Sequence, residues 1–479
     1  MIKLRVVNHQ HVRKIIGENN LQRLGNKLDG DLILPDDPAY HQKRKVWNGM
    51  IDRYPAMIVS CKNNQDVIRA VNFARDQRLL VAIRGGGHNV AGLATCDDGM
   101  VIDLSPMHAV SVNPDKQMAY VEGGARWTDV DAATQVYGLA TPGGVVSDTG
   151  VAGLTLGGGF GYLRNKYGLT CDNLIGADVV TADGQLIHTS ESENQELLWG
   201  LRGGGGNFGV VTRFEFQLHP LGPEVYFCMV FHPGEETGKA LQFFRDYTQQ
   251  APDEISVLAS IGMVPEGSED FPEELHGRPY IAFAALYAGD PVIGEAALAP
   301  LRNFDVPLAD FSGRMAYQVA QTLFDKDYPA HSMRYYWKSL NLMDHSDRAM
   351  DAIASQAHHQ VSQFTTTDIW HIGGAIKHIS NDLSAFNGRH PDYLLNVEAN
   401  WPDAEDDQEN IQWTRNYLDD LQPYTDGGLY LNFAGLQEEG ASMMQLSFGS
   451  SFDRLAALKQ KYDPGNLFRL NQNIEPSGQ

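Results

Sequence analysis

The stretch Arg84-Gly85-Gly86-Gly87-His88-Asn89 follows the apolar run Leu79-Leu80-Val81-Ala82-Ile83, which reads as a buried strand. The chain therefore leaves a sheet and turns sharply through three residues that lack side chains. Consecutive glycines expose backbone N–H groups and tolerate positive φ, so the turn predicts a concave cradle for an anion such as phosphate. Arg84 sets positive charge beside the cradle, and His88 stands at its far end. A plain tight turn is the alternative reading of the glycines alone.

A second glycine-rich block runs from Thr149 through Gly150, Gly153, Gly157, Gly158 and Gly159 to Gly161, with Val151, Leu154 and Leu156 interspersed. Its backbone can lie flat against a bulky ligand. A third, Gly204-x-Gly206-x-x-Gly209, spells the dinucleotide fingerprint, but that motif needs a strand before it and a helix after it. Here residues 195–201 read as helix and residues 210–218 as strand, so a Rossmann site is excluded, and with it the best argument for NAD.

With 479 residues the chain is long enough for two domains. Hydrophobic content of 43% and charged content of 20% are those of a globular protein, and the formal charge of −23 argues against nucleic acid as partner. Acidic clusters at 266–274 and 403–409 read as solvated surface. Cys61, Cys96, Cys171 and Cys228 are too dispersed for a zinc site or a disulfide scaffold. The N-terminus lacks the apolar core of a secretory signal and no run approaches bilayer-spanning length, so a cytoplasmic protein without membrane contact is expected.

Residues 1–50 read as a helical preface, with Leu21, Leu24 and Leu28 at helical spacing. Strands are expected at 56–61, 81–84 and 100–104, a helix at 64–77, and a hairpin pairing 109–112 with 118–122 through Asn113-Pro114-Asp115. Thr128 is the expected N-cap of a helix ending at Gly138. Beyond residue 224, strands at 225–231, 256–264, 280–287, 333–341, 365–376 and 393–401 alternate with helices at 236–249, 292–301, 314–324, 346–359 and 405–421. The class is α+β, an antiparallel sheet covered by helices on one face.

In Leu394-Leu395-Asn396-Val397-Glu398-Ala399-Asn400-Trp401, alternation puts Leu395, Val397, Ala399 and Trp401 in the core, leaving Asn396, Glu398 and Asn400 on the other face. That face needs either solvent or a wet cavity. Tyr430-Leu431-Asn432-Phe433 repeats the alternation. The phenols of Tyr430 and Tyr167 are not bases near neutral pH unless a cation lowers the pKa from ~10, and Arg334 and Lys338 are candidate cations. His331, His371 and His378 have no metal-ligand spacing, and no metal is expected.

Taken in order, Arg84–Asn89, Gly157-Gly158-Gly159-Phe160-Gly161, Lys166-Tyr167-Gly168-Leu169, Cys171-Asp172-Asn173, Asn207-Phe208-Gly209-Val210-Val211-Thr212, Tyr462-Asp463-Pro464-Gly465-Asn466 and Gln472-Asn473-Ile474 resemble the berberine-bridge-enzyme-like oxidases of the vanillyl-alcohol-oxidase superfamily. The resemblance implies a PCMH-type FAD-binding domain over residues 51–222, a substrate domain over 223–445, and a C-terminal segment, 446–479, returning to the FAD domain. It implies FAD bound by Arg84 to Asn89, Gly92, Val146, Thr149, Gly150, Gly153, Gly157 to Gly159, Gly161, Asp172, Asn173, Gly209 to Val211, Asn471 and Asn473. His88 matches the histidine that bonds FAD covalently. Val146 stands where many members carry a second attaching cysteine, which implies attachment through His88 only, as in the hydroxynicotine and polyketide-tailoring subgroup. Leu154 replaces a frequent histidine. Tyr167, Asn396 and Tyr430 match positions near the substrate, with Glu398 the nearest base, and Thr149 is implied beside the flavin carbon that meets dioxygen. The expected activity is oxidation of a C–H next to an O–H or N–H of a small organic substrate, with dioxygen reduced to hydrogen peroxide. A dehydrogenase with another acceptor, a monooxygenase or cyclase, and a flavin-binding module without a substrate are the alternatives.

Overall fold

The computed structural model describes residues 3–380, 382–436 and 441–478. The strand Val81–Arg84 ends at the first glycine turn and lies at the edge of a four-stranded sheet. It pairs in parallel with Met100–Asp103, which pairs with Met57–Ser60. All three are rich in β-branched and apolar residues and are buried on both faces, as parallel strands require. The helix Asn64–Asp76 covers this sheet, capped by the Asn63 side chain, which accepts from the backbone N–H of Asp66 at 3.1 Å.

A five-stranded antiparallel sheet follows, in the order Leu186–Ser190, Leu174–Val180, Val210–Gln217, Met118–Glu122, Val110–Asn113. The second part of the chain is built on an eight-stranded antiparallel sheet in which Pro279–Tyr287, Ile255–Met263, Thr366–His371 and Tyr393–Trp401 lie side by side and Arg334–Leu342 forms the edge beyond Tyr393–Trp401. Residues such as Val257, Ile281, Ile369, Leu395 and Val397 pack on one face against the helices Thr237–Thr248, Pro291–Arg302, Asp347–Ala357 and Asp407–Leu421. The opposite face turns toward the glycine loops.

Several local expectations are corrected. The first 50 residues are not a helical preface: a hairpin of Lys3–Val7 with Arg13–Gly17 precedes the helix Glu18–Gly25, and Asp31–Ile33 adds an edge strand to the four-stranded sheet. Val6 and Ile16 outweigh the helical spacing because the hairpin buries them. Leu28 falls outside that helix. Thr128 is inside the helix Trp127–Gln135; Arg126 is the cap, its N–H held by Asp129 Oδ2 at 2.9 Å. Residues 314–324 contain the strand Gly313–Ala316 and the short helix Tyr317–Ala320, and the strand expected at 365–376 stops at His371 before the turn of helix Ala375–His378. Residues Leu431–Phe433 form a single 3₁₀ turn, not a strand.

Two ties join the parts. Asn48, fully buried, donates from Nδ2 to Val90 O at 2.7 Å and Tyr335 O at 2.8 Å, while its Oδ1 accepts from the N–H of Tyr335. Near the C-terminus Lys459 Nζ contacts Asp463 Oδ2 at 2.7 Å and donates to Asn207 O and Phe468 O at 2.9 Å each. With all three ammonium hydrogens occupied, this buried charge is compensated and the C-terminal segment is fixed to the chain at Asn207. No helix among the described residues is long and apolar enough to cross a membrane.

A third contact links the parts through a carboxyl group. Asp131, on the helix Trp127–Gln135, is buried, and burial pushes its pKa up to about 7 against the hydrogen bond from Gln321 Nε2. Because the folded value exceeds the unfolded one near ~3.9, the folded state binds a proton that the unfolded state lacks between those values, so this stability contribution is lost as pH rises through 7. Asp131→Asn is expected to raise the melting temperature at pH 8 by about 2 °C and to have less effect at pH 5. Thermal unfolding at both pH values checks this, and an equal change at both refutes it.

Candidate active site

The first glycine turn and the second meet back to back. A Cβ on Gly86 would lie 2.4 Å from Gly150 Cα, and one on Gly150 would lie 2.5 Å from Gly86 N, so neither position accepts a side chain. Gly87 takes φ +75°, which turns the chain so that His88 follows directly. Gly85 to Asn89, Val146, Thr149, Gly150, Gly153, Leu154 and Gly157 line one side of a cavity of about 850 Å³, together with Gly203, Gly205, Gly206, Gly209, Val211, Asn471 and Gln472. The failed Rossmann fingerprint thus supplies cavity wall, without a helix behind it.

His88 is held by two contacts. Its Nε2 meets Asp148 Oδ1 at 2.8 Å, and its ring stacks on Trp47 with centroids 4.2 Å apart. Trp47 stacks in turn on Tyr335, at 3.7 Å. Burial works to raise the Asp148 pKa, but the hydrogen bond from His88 and the positive charge of Arg126 hold it below the usual carboxylate range. An ionised Asp148 accepts the Nε2 hydrogen, which leaves the lone pair on Nδ1.

The roof is the second sheet. Its cavity face carries a polar row across four adjacent strands, Ser260 opposite Asp368, Asp368 opposite Asn396, and Asn396 opposite Ser339. Ser260 Oγ donates to Asp368 Oδ1 at 2.7 Å. One row along, Glu398 accepts from Asn396 Nδ2 at 2.6 Å and from Tyr328 Oη at 2.6 Å. Burial, then repulsion from Asp368, drives the Glu398 pKa well above the usual range despite those two donors, and burial pushes Asp368 up to about 6. The two carboxyls lie on adjacent strands of the same sheet face, so the charge on one opposes ionisation of the other. The polar face of the strand Tyr393–Trp401 therefore meets a cavity, not solvent.

Tyr430 Oη accepts from Gly159 N at 2.9 Å and from Asn432 Nδ2 at 2.7 Å, so the two residues meet without a strand between them. Burial raises the Tyr430 pKa against both donors. Neither expected cation serves it: Arg334 is bound to Asp407, and Lys338 lies over the ring of Tyr336.

Other candidates stand back from the cavity. Arg84 turns away from the cradle to Asp103 at 3.1 Å and Lys43 O at 2.6 Å, so the cradle relies on backbone N–H groups rather than a guanidinium. Asp172 is paired with Arg389 at 2.5 Å. Asn173 holds Tyr167 O, Leu169 O and the His219 ring. Tyr167 stacks on that same His219, and its Oη reaches only Pro220 O at 3.4 Å. Gly92, Gly158 and Gly159 have positive φ, and Gly161 sits against Gly143 O, so these four serve backbone geometry. Val210 packs in the core. Asn396 and Asn473 do not line the cavity, and Asn396 acts through Glu398. Sequence reasoning missed Trp47, Asp148, Tyr328 and Asp368. Only Asp368 carried a signal, an acid at the middle of an otherwise apolar and β-branched strand. Among the described residues no cysteine lines the cavity, and no cluster is placed to hold a metal.

Residues 55–190 match the family described as FAD binding domain, and residues 429–475 match Berberine and berberine like. An FAD-linked oxidoreductase of Dictyostelium discoideum is 32% identical over 454 residues, covering 94% of this chain and 95% of that protein. (R)-6-hydroxynicotine oxidase of Paenarthrobacter nicotinovorans is 29% identical over 463 residues, 94% of this chain and 98% of the other. The crystal structure of 6-hydroxy-D-nicotine oxidase from Arthrobacter nicotinovorans superposes with a TM-score of 0.84 at 28% identity, covering 94% and 98% of the two chains.

The glycine contact generates a test. Gly86→Ala forces the two loops apart and is expected to lower stability by about 1–3 kcal/mol, with less FAD bound per polypeptide. Denaturant unfolding and the ratio of flavin to protein absorbance measure both, and no change in either would refute the assignment.

Proposed function

The chain belongs to the FAD-linked oxidoreductases with a berberine-bridge-like C-terminal segment, and from that premise we propose that it is an oxidase of a small organic substrate whose FAD is attached through His88 alone. The observation that carries this reading is one cavity lined by the His88 imidazole at one side and by the buried carboxyls of Asp368 and Glu398 at the other. Residues 51–222 and 446–479 would hold the cofactor, and 223–445 the substrate.

The residues present fit FAD. A wall of backbone glycines with no room for a Cβ at Gly86 or Gly150 suits the approach of a large planar group and its phosphates. Gly85 to Asn89, Thr149, Gly150, Gly153, Gly205, Gly206, Gly209, Asn471 and Gln472 would line it. Bound FAD would accept a hydride from the substrate C–H and pass the electrons to dioxygen, giving hydrogen peroxide. His88 presents Nδ1 for the covalent bond because Asp148 occupies Nε2. Val146 offers no thiol, which supports one attachment rather than two. A cytoplasmic setting is part of the proposal, since all four cysteines are buried and unbridged.

Glu398, in its ionised form, takes the proton from the substrate O–H or N–H. Its raised pKa makes it a stronger proton acceptor than an ordinary carboxylate, whereas Tyr430 stays protonated with no cation to lower it. Asn396 and Tyr328 fix the orientation of that carboxylate. Thr149 keeps a small hydroxyl-bearing side chain on the cofactor wall, which favours access for dioxygen.

Two experiments test this. Acid-precipitated protein is expected to stay yellow, His88→Ala to release its colour, and Asp148→Asn to show reduced covalent incorporation; colour retained after acid by His88→Ala rejects the attachment. Under anaerobic conditions Glu398→Gln is expected to slow flavin bleaching by ~10²–10⁴, with peroxide released by the wild type in air. Wild-type bleaching rates in Glu398→Gln would move the base elsewhere, and bleaching without peroxide would make the enzyme a dehydrogenase.

A further inference from the structure

We propose that the substrate is a cationic amine with an aromatic or apolar body, its ammonium bound at Asp368 and Glu398. The inference rests on the oxidase reading and names the substrate class of the same site.

Three observations carry it. Asp368 and Glu398 are 5% and 3% exposed, and both line the cavity. Their protein partners are uncharged: Ser260 on Asp368, Asn396 and Tyr328 on Glu398. Two buried carboxyls whose partners are all uncharged leave any charge they carry without a counter-ion, and a buried charge of that kind calls for one. Among the described residues lining the cavity the only lysine or arginine is Lys326, and it is bound to Asp270 at the exposed rim. The missing cation is therefore brought by the occupant.

The walls around the carboxyls set the rest of the ligand. Trp337, Trp370, Phe364, Phe433, Tyr280 and Met229 line the same space. Aromatic faces attract ammonium ions and pack against apolar bodies, so both ends of such a molecule gain. The indole N–H of buried Trp370 has no protein partner, which marks the same wall as a ligand surface. At the mouth, Glu266, Glu269, Asp270 and Asp327 are exposed around the single Lys326. A rim of this sign concentrates cations and repels anions before contact. A sugar or neutral alcohol would bring no charge to a pocket arranged for one.

The holoenzyme titrated anaerobically with 1-phenylethylamine and with 1-phenylethanol separates charge from shape, because the two differ only in the amine. Calorimetry is expected to give at least about tenfold tighter binding for the amine, and Asp368→Asn to reduce that ratio to about threefold or less. Association of the amine with the wild type should also slow as salt is raised. Equal or tighter binding of the alcohol by the wild type overturns the proposal without reference to any variant, and so does an unchanged ratio in a folded, yellow Asp368→Asn. Flavin bleaching in the same cell distinguishes the two readings. If the amine binds selectively but nothing bleaches the flavin, the amine site stands and the oxidase reading falls. If alcohols or sugars bleach it and the amine has no advantage, the oxidase reading stands and the amine site falls.

Discussion

The approach of Gly86 to Gly150 is the constraint from which the rest of the molecule follows. Two loops from different parts of the chain meet at a distance that excludes any side chain, and their outer faces become one wall of backbone N–H groups. The four-stranded and five-stranded sheets exist at this point to deliver those loops. Everything that completes the cavity is then tied to this wall, by Asn48 from the N-terminal side and by Lys459 with Asp463 from the C-terminal side. Each tie is a buried polar group with its donors satisfied, which makes it specific in position.

The roof is organised on a different principle. Its helix-covered face is an ordinary apolar core, while the cavity face accepts Asp368, Asn396, Ser339 and Glu398 in buried positions, with Ser260 half-buried beside them. Burying two carboxyls side by side opposes folding. A large core on the other face offsets that cost, so the sheet can hold carboxyls whose pKa values burial raises above the usual range. Asp131 is a smaller case of the same kind, placed where the two parts of the molecule touch.

Much of this was legible in the sequence because the glycine motifs impose backbone geometry locally and the strands alternate clearly. The strand 393–401 was read to the residue, and its polar face was left open between solvent and cavity, a choice that only the packing of the glycine loops decides. The motif residues Arg84, Asp172 and Asn173 were read as cofactor contacts, yet they hold loops in place through Asp103, Arg389 and backbone carbonyls. A sequence motif records that a residue is needed there, not which way it faces. Trp47, Asp148 and Tyr328 lie in irregular segments without periodicity, and they reach the site only through contacts between residues up to several hundred positions apart. The N-terminal hairpin was missed because the leucines at helical spacing, Leu21, Leu24 and Leu28, all lie beyond it.

The placement of sulfur has a consequence for the proposed release of hydrogen peroxide. Thiols are attacked as thiolates, and here burial pushes Cys96 and Cys228 up to about 12 and lifts Cys61 and Cys171 as well. None of the four faces the cavity, so peroxide leaving the site passes no reactive thiol. The sulfurs it does meet are the thioethers of Met229, Met263 and Met333 in the cavity wall. Methionine oxidation is chemically reversible where overoxidation of cysteine is not. Wear from the enzyme's own product therefore begins at residues whose damage can be undone.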